Sequence, residues 1–280
     1  MEATTTVQAG GPGAAALTIE LVSGESTVTS ALARSPLKLL TPRARGRSVW
    51  ACTSSFGGGF VAGDQTRLDL RLGSNTRCYL GTQAATKVYR NPARRPCGHV
   101  TRAALAENAL LVFAPDRVQG FAGSSYSQRQ QFNLAEGAGL ALLDWFTAGR
   151  VACGERWEFS RLQSRNEVFQ AGERVFLDSI LLDPADGALA ASMRAGRFNC
   201  FAMLLLVGPP LREAAGRLLQ EISARPVVRV APLIASASPV ADGVILRLAG
   251  EQVEAVGQAL RQHLFFLHEF LGDDPWARKW

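Results

Sequence analysis

Residues 54–91, SSFGGGFVAGDQTRLDLRLGSNTRCYLGTQAATKVYRN, decide the fold, because glycines, periodicity and unusual polar residues coincide there. Gly57, Gly58, Gly59 and Gly63 invite a phosphate-loop reading, and the residues after them refuse it. A Walker loop carries Lys-Ser/Thr after its last glycine, at the start of a helix, so that backbone N–H groups and a lysine converge on phosphate. Here Gly58 to Gly63 runs into Asp64. Gly57-x-Gly59-x-x-Ala62 fits the degenerate dinucleotide fingerprint, yet Leu68, Leu70 and Leu72 then alternate with Arg67, Asp69 and Arg71. A period of two is a strand, which has no helix dipole to aim at a pyrophosphate. The glycines are expected to serve the backbone, at positive φ or where a neighbouring strand comes close.

Outward from this stretch, Gly73-Ser74-Asn75 reads as a hairpin turn into a second strand over 76–82. Alternation over 17–22 and 27–33 flanks Ser23-Gly24-Glu25-Ser26, again hairpin chemistry. Pro36 and Pro42 restrict 37–40 to an edge strand. Short strands follow at about ten-residue spacing over 99–105, 109–113, 125–133, 139–145, 157–162, 165–170 and 174–182. The apolar run 200–207 suits a strand buried on both faces. Only the last quarter carries helical periodicity. One helix is expected near 210–224, opened by Pro210, and a second near 251–271, with Val253, Val256, Leu260, Leu264, Leu267 and Leu271 on one stripe and Gly272 closing it. The expected fold is mainly β: stacked or sandwiched mixed sheets with two C-terminal helices, α+β overall. A mobile tail over 1–16 precedes a single domain over 17–280.

The 280 residues, 47% of them hydrophobic, suffice for a large core, and the net charge of +6 is spread without basic blocks. No basic helix, stacking platform or zinc-finger spacing argues for nucleic acid, and an acidic partner surface accounts for the charge equally well. Five cysteines without a C-x-x-C pair read as reduced cytoplasmic thiols, and no apolar run is long enough for a membrane span. His99, His263 and His268 stand apart from any triad or zinc pattern, so no stable metal site is expected.

Carboxylates carry the remaining signal. Asp64 follows Gly63 at the mouth of a strand, Asp144 interrupts an apolar run, Glu155 follows Cys153-Gly154, and Asp178 follows Val175-Phe176-Leu177. An acid in a strand fit for burial needs hydrogen bonds, an ion pair, water or a metal beside it. One reading pairs Asp144 with Arg150 or Arg156 and lets Asp64 cap the glycine turn. A second makes the acids an internal polar passage for a divalent ion, whose oxygen donors bind weakly enough to release. A third makes Asp144 and Glu155 the acid and base of a carboxylate-dependent enzyme.

The motifs GGGFVAGD (57–64) and TQAATKVYR (82–90) resemble those of the UreD (UreH) family of urease accessory proteins. So do Ser35-Pro36-Leu37-Lys38, Ala114-Pro115-Asp116, Ser125-Tyr126-Ser127-Gln128, Asp144-Trp145-Phe146-Thr147-Ala148-Gly149-Arg150 and Gly154-Glu155-Arg156-Trp157. The resemblance covers about 17–280, with Ala62-Gly63-Asp64 standing where Gly-Gly-Asp is usual. It implies a non-enzymatic cytoplasmic scaffold that binds urease apoprotein, UreF and UreG while nickel reaches the urease active site, with Ni²⁺ present only transiently. Carried onto this chain, the implied ion route is Asp64, Asp144, Glu155 and Asp178, shaped by Gly58, Gly59, Gly63, Thr82, Gln83, Lys87 and Tyr89. Phe265, Phe266 and Phe270, which widen the stripe of the last helix, are the expected partner surface.

Overall fold

The computed structural model describes residues 10–43 and 46–277. The described chain opens on β1 (Ala14–Val22) and β2 (Glu25–Ala33), an antiparallel pair turning at Ser23-Gly24, then β3 (Leu37–Leu40) and β4 (Val49–Ser55). From there it alternates between two sheets. β5 (Gln65–Leu72) is followed by β6 (Arg77–Thr82) and the short β7 (Thr86–Val88), then β8 (Cys97–Leu105), β9 (Leu110–Phe113) and the short β10 (Val118–Gly120). β11 (Ser125–Leu134), β12 (Gly139–Thr147), β13 (Arg161–Gln170) and β14 (Glu173–Leu182) continue the pattern. β15 (Cys200–Val207), α1 (Arg212–Ser223), β16 (Leu233–Val240), β17 (Gly243–Gly250), α2 (Val253–Leu264) and α3 (Leu267–Leu271) complete it.

The first sheet is ordered β14-β13-β11-β8-β5-β1-β2 and the second β16-β17-β15-β12-β9-β6-β4-β3, with β7 and β10 on its margin. β1, β5, β8, β11 and β13 are mutually parallel in the first, and β4, β6, β9 and β12 in the second. Parallel neighbours need a crossover, and each crossover here is a strand of the opposite sheet. The chain therefore winds as a two-sheet coil: strands of the second sheet begin at Val49, Arg77, Leu110 and Gly139, about thirty residues apart. Antiparallel strands close the outer edges.

Mainly β architecture with mixed sheets and C-terminal helices is what the periodicity predicted, and four local readings change. The strands expected over 157–162 and 165–170 are one strand, β13, which starts at Arg161 because Trp157 turns the chain at a φ of 58°. The strands flanking Gly73-Ser74-Asn75 do not form a hairpin, because β5 and β6 lie in different sheets and the turn carries the chain across. Ala14 and Ala15, placed by sequence in the tail, are buried in β1, whose partner β5 continues past Leu68 to Arg67; residues 1–9 of that tail lie outside the described residues. The helix expected over 251–271 is two helices. Between them the Phe265, His268 and Glu269 N–H groups each donate three residues back, a tighter winding than the α-helix.

The inner faces share a core built from Leu17, Leu68, Leu70, Leu80, Leu111, Phe132, Leu140, Leu142 and Val168. The outer face of the second sheet is covered by the helices: Leu211, Ala215, Leu218 and Ile222 of the first helical segment and Val256, Leu260, Leu264, Leu267 and Leu271 of the last two pack on Leu143, Trp145, Leu204, Leu206 and Leu246. β12 and β15 are thus covered on both sides, which is why they read as continuous apolar runs. A third cluster of Phe60, Val118, Tyr126, Phe146, Trp157, Phe159 and Leu162 fills the end of the coil where the glycine loop sits.

The glycines serve the backbone in both expected ways. Gly57, Gly58 and Gly63 hold φ of 84°, 75° and 90°. Gly59 has no positive φ, but a Cβ there would lie 2.7 Å from the Lys87 carbonyl oxygen and 2.7 Å from the Tyr89 ring. Gly59→Ala should cost about 1–3 kcal/mol by overpacking, and Gly59→Val more. Gly57→Ala meets open space and only the left-handed strain of about 1 kcal/mol. Denaturant unfolding of the variants checks the order; equal, negligible losses would show that the loop shifts freely.

Candidate functional site

The site follows from the phase of the strands. In β11 the buried positions are Tyr126, Gln128, Gln130, Phe132 and Leu134; in β13 they are Leu162, Ser164, Asn166 and Val168. Each inward row is apolar at its ends and polar in the middle. Because the strands are in register, Thr66 stands beside His99, His99 beside Gln128, and Gln128 beside Ser164; one step along, Thr101, Gln130, Asn166 and Asp178 form a second row. A polar layer thus crosses the inner face of the first sheet. On one side of it Phe132, Leu142, Val168 and Phe176 belong to the central core; on the other Tyr126, Phe146 and Leu162 belong to the end cluster.

Asp144 of β12 enters this layer from the opposite sheet, only 6% exposed. Its Oδ1 accepts from Gln128 Nε2 at 2.8 Å; its Oδ2 accepts from Ser164 Oγ at 2.5 Å and Asn166 Nδ2 at 2.8 Å. Gln130 Nε2 donates to Asn166 Oδ1 at 2.7 Å, which fixes that amide with its NH₂ toward Asp144. Tyr126 O–H donates to Gln128 Oε1 at 3.3 Å. Burial pushes the Asp144 carboxyl above the usual range, the three hydrogen bonds offset part of that shift, and Asp178 nearby adds to it.

Among the described residues no arginine pairs with Asp144. Arg150 binds Glu155, and Arg156 donates to Asn199 Oδ1 and to the Gly196 and Phe198 carbonyls, so the ion-pair reading of Asp144 gives way to neutral donors. Cavities lie on both sides of the carboxylate. One of about 100 Å³ is lined by Gly58, Thr82, Ala84, Ala85, His99, Asp116, Gln128 and Gln130. The other, about 350 Å³, is lined by Phe146, Trp157, Asp178, Phe201, Met203 and Arg247. Asp144 lines both.

The four acids separate. Asp178 shares the larger cavity with Asp144, and its Oδ1 takes Arg247 Nη2 at 3.0 Å. Asp64 caps the glycine turn, accepting from Val61 N–H at 2.9 Å. Glu155 is held by Arg150 and by the Ala122 N–H at 3.1 Å, and lines neither cavity. The Arg150 hydrogen bond is the main cause that holds its carboxyl below the usual range.

Of the shaping residues, Gly58 and Thr82 line the smaller cavity, and Thr82 Oγ1 accepts from Asp116 N–H at 2.8 Å and donates to its Oδ2 at 3.1 Å. Gln83 N–H donates to the Thr53 carbonyl, and Lys87 lends its carbonyl to Phe60 N–H at 2.8 Å while its side chain is exposed. Gly63 N–H donates to the Arg95 carbonyl. Tyr89 stacks edge-on against Phe121. Of the three aromatics, Phe265 is 60% exposed, whereas Phe266 and Phe270 pack on the helix-side core and on each other.

Sequence reasoning missed Gln128, Gln130, Ser164, Asn166, Thr66, Thr101 and His99. The signal was present: the period-two phase set by Tyr126, Phe132 and Leu134 turns Gln128 and Gln130 inward, and Leu162 with Val168 does the same for Ser164 and Asn166. His99 sits between the Thr66 and Thr101 hydroxyls at 2.7 and 3.0 Å, and burial pushes its pKa down to about 4, so it is neutral at pH 7. Among the described residues no group of three or more His, Cys, Asp or Glu side chains converges on a metal position, and no helix is long and apolar enough to cross a membrane. No disulfide joins the five cysteines.

These observations define a class: a two-sheet β coil with a hydrogen-bonded polar layer inside and cavities flanking one buried acid. The family model described as UreD urease accessory protein matches residues 11–280. A urease accessory protein UreD of Sorangium cellulosum (strain So ce56) is 45% identical over 98% of this chain and 86% of its own length. Another, from Anaeromyxobacter sp. (strain Fw109-5), is 40% identical over 95% and 89%. Urease accessory protein D of Oryza sativa subsp. indica is 32% identical over 99% of both chains. The chain belongs to the UreD family of urease accessory proteins.

Two predictions rest on this geometry. An acid whose folded pKa is raised binds protons more tightly folded than unfolded, so its contribution to stability is fully present below the ordinary carboxylate range and falls as pH rises toward the folded value. Asn at 144 loses a bond to Asn166 but has no such titration, so the stability advantage of wild type over Asp144→Asn should shrink as pH rises; an advantage that grows would mean that the donors outweigh desolvation. Separately, Phe266→Asp should lower stability by about 1–3 kcal/mol, whereas Phe265→Asp should stay within about 0.5 kcal/mol. Thermal unfolding distinguishes them, and equal losses would make Phe265 part of the core.

Proposed function

We propose that this chain is a non-catalytic cytoplasmic scaffold of urease maturation, that it binds urease apoprotein, UreF and UreG, and that its polar layer is the route by which Ni²⁺ crosses it. The observation that carries the reading is Asp144, a buried carboxylate that lines two cavities and is held by the neutral donors Gln128, Ser164 and Asn166. Isolated oxygen donors suit transit, because a converging set of His, Cys and carboxylate ligands would hold a late first-row metal too firmly to release it. Gln128 and Gln130 line the smaller cavity together with Thr82, His99 and Asp116, and such a polar wall lowers the desolvation cost for an ion that keeps part of its water. Phe265 supplies an exposed aromatic for a partner, and the excess of arginine suits an acidic one.

The enzyme reading, with Asp144 and Glu155 as acid and base, has little support. The two line no common cavity, and Glu155 is engaged by Arg150. A general acid and base must both reach one substrate.

Asn is the informative replacement at 144. Asp144→Ala leaves buried donors on Gln128, Ser164 and Asn166 unpaired at about 1–3 kcal/mol each, which confounds route with fold. With Asp144→Asn and Asp178→Asn, pull-down of UreF and urease should be retained while nickel content and activity of the matured urease fall, the double variant losing more than either single one. Full nickel loading by the double variant would remove the route, and loss of the complex would return both acids to a structural role.

A further inference from the structure

The helices pack on the second sheet, and the outer face of the first sheet is open. No outward residue of β5, of β11, of β13 or of β8 from Val100 onward is buried. Register sets these residues in rows across four parallel strands: Arg67, Val100, Arg129 and Arg165 form one, and Asp69, Arg102, Gln131 and Glu167 the next. Arg71 of β5 stands in the row beyond, beside Ala104.

The acids of these rows are already engaged. Asp69 is held by Arg67 at 2.7 Å, and Glu167 by Arg165 at 2.9 Å and by Arg174 at 3.2 Å. Arg71, Arg102 and Arg129 are exposed and make no ion pair or side-chain hydrogen bond among the described residues. They lie on a diagonal, each one strand across and one row along from the last, which spaces their Cα atoms by about 8 Å. A line of unpaired guanidinium groups is thus bracketed by neutralised ones. Like charges gathered on one sheet face repel, and a surface of opposite sign relieves the repulsion. On the neighbouring β14, Leu177 beside Glu167 and Leu181 beside Gln163 also turn outward, 42% and 45% exposed, and give the charge an apolar margin.

We propose that this diagonal docks an acidic protein surface, a row of carboxylates on a partner's helix or strand, with Leu177 and Leu181 at the margin of the contact. Guanidinium forks match carboxylates in geometry as well as in charge, and arginine beside apolar side chains is the composition of a protein interface. A nucleic acid fits less well. Its unbroken phosphates would meet Asp69 and Glu167, and among the described residues of these rows Phe169 is the one aromatic that could stack a base. The face lies on the side of the molecule opposite the helices and Phe265, so one chain can hold two partners at once. The assignment rests on the scaffold reading and adds to it which face a partner takes and with what charge.

The test is biolayer interferometry of the purified full chain against urease apoprotein, UreF and UreG, each alone, across a salt series, with thermal unfolding of every variant. The Arg71→Gln/Arg102→Gln/Arg129→Gln chain should bind one of the three about tenfold more weakly, as the modest contributions of three exposed charge pairs sum. That binding should also lose most of its salt dependence. Arg102→Glu, a single change, should weaken the same partner and serves if the triple variant does not fold. Arg212→Gln/Arg217→Gln/Arg225→Gln on α1 removes equal charge from the helix side and should leave that partner's affinity unchanged. Equal loss in the α1 variant, or wild-type affinity for all three proteins in a folded first-sheet variant, overturns the proposal and leaves the scaffold reading standing. Failure of both first-sheet variants to fold overturns it too, by giving the diagonal a structural role. A wild-type chain that binds none of the three at low salt removes the scaffold reading and this surface with it. A single-stranded oligonucleotide bound by the wild type and lost by the triple variant, while all three proteins still bind, would make the face a nucleic-acid surface instead.

Discussion

The hydrogen bonds between Asp144 and Gln128, Ser164 and Asn166 are the constraint on which the interior depends. They are the polar contacts that tie the middle of the second sheet to the first, inside a space that is elsewhere apolar. Slipping β12 by one residue within its sheet would turn the acid toward the helices and leave three buried donors without their acceptor, so the layer fixes how the sheets face each other. A buried polar layer of this kind is poor value for stability, because an apolar layer of equal volume would pack as well without desolvating a carboxylate. Its persistence inside a well-formed core points to use.

Much of the fold was legible because each strand obeys a simple period. β5, β11 and β13 alternate cleanly; β12 and β15 are continuous because helices cover one side and the opposing sheet the other. The coil itself was not legible. It repeats in space about every thirty residues, but each crossover differs in length and in turn chemistry, and Gly73-Ser74-Asn75 is as suitable for changing sheets as for making a hairpin. The single C-terminal stripe also hid the break at Phe265, since Leu264, Leu267 and Leu271 keep their spacing through the tighter turn.

The candidate site was half legible. Asp144 and Asp178 stood out as acids in apolar company, and both reach the interior. Asp64 and Glu155 stood out for the same reason and do not, because a carboxylate beside glycines serves a turn or an arginine as readily as a cavity. The amides and hydroxyls escaped notice because single polar residues in an alternating strand look like its exposed face until the phase is fixed by the aromatic and aliphatic residues at its ends. Where the sequence shows a charge, burial must still be established; where it shows only Gln, Ser and Asn, the phase alone reveals that they are inside.

The most direct measurement closes the proposed route without touching a carboxylate. Ala85 lines the smaller cavity and is partly exposed, so Ala85→Trp adds bulk there with little demand on the core. Urease matured with this variant should bind it as the wild type does and carry markedly less nickel per active site, measured by elemental analysis of the purified enzyme. A full nickel complement in urease matured by a folded, urease-binding Ala85→Trp chain would mean that the ion does not travel between these sheets.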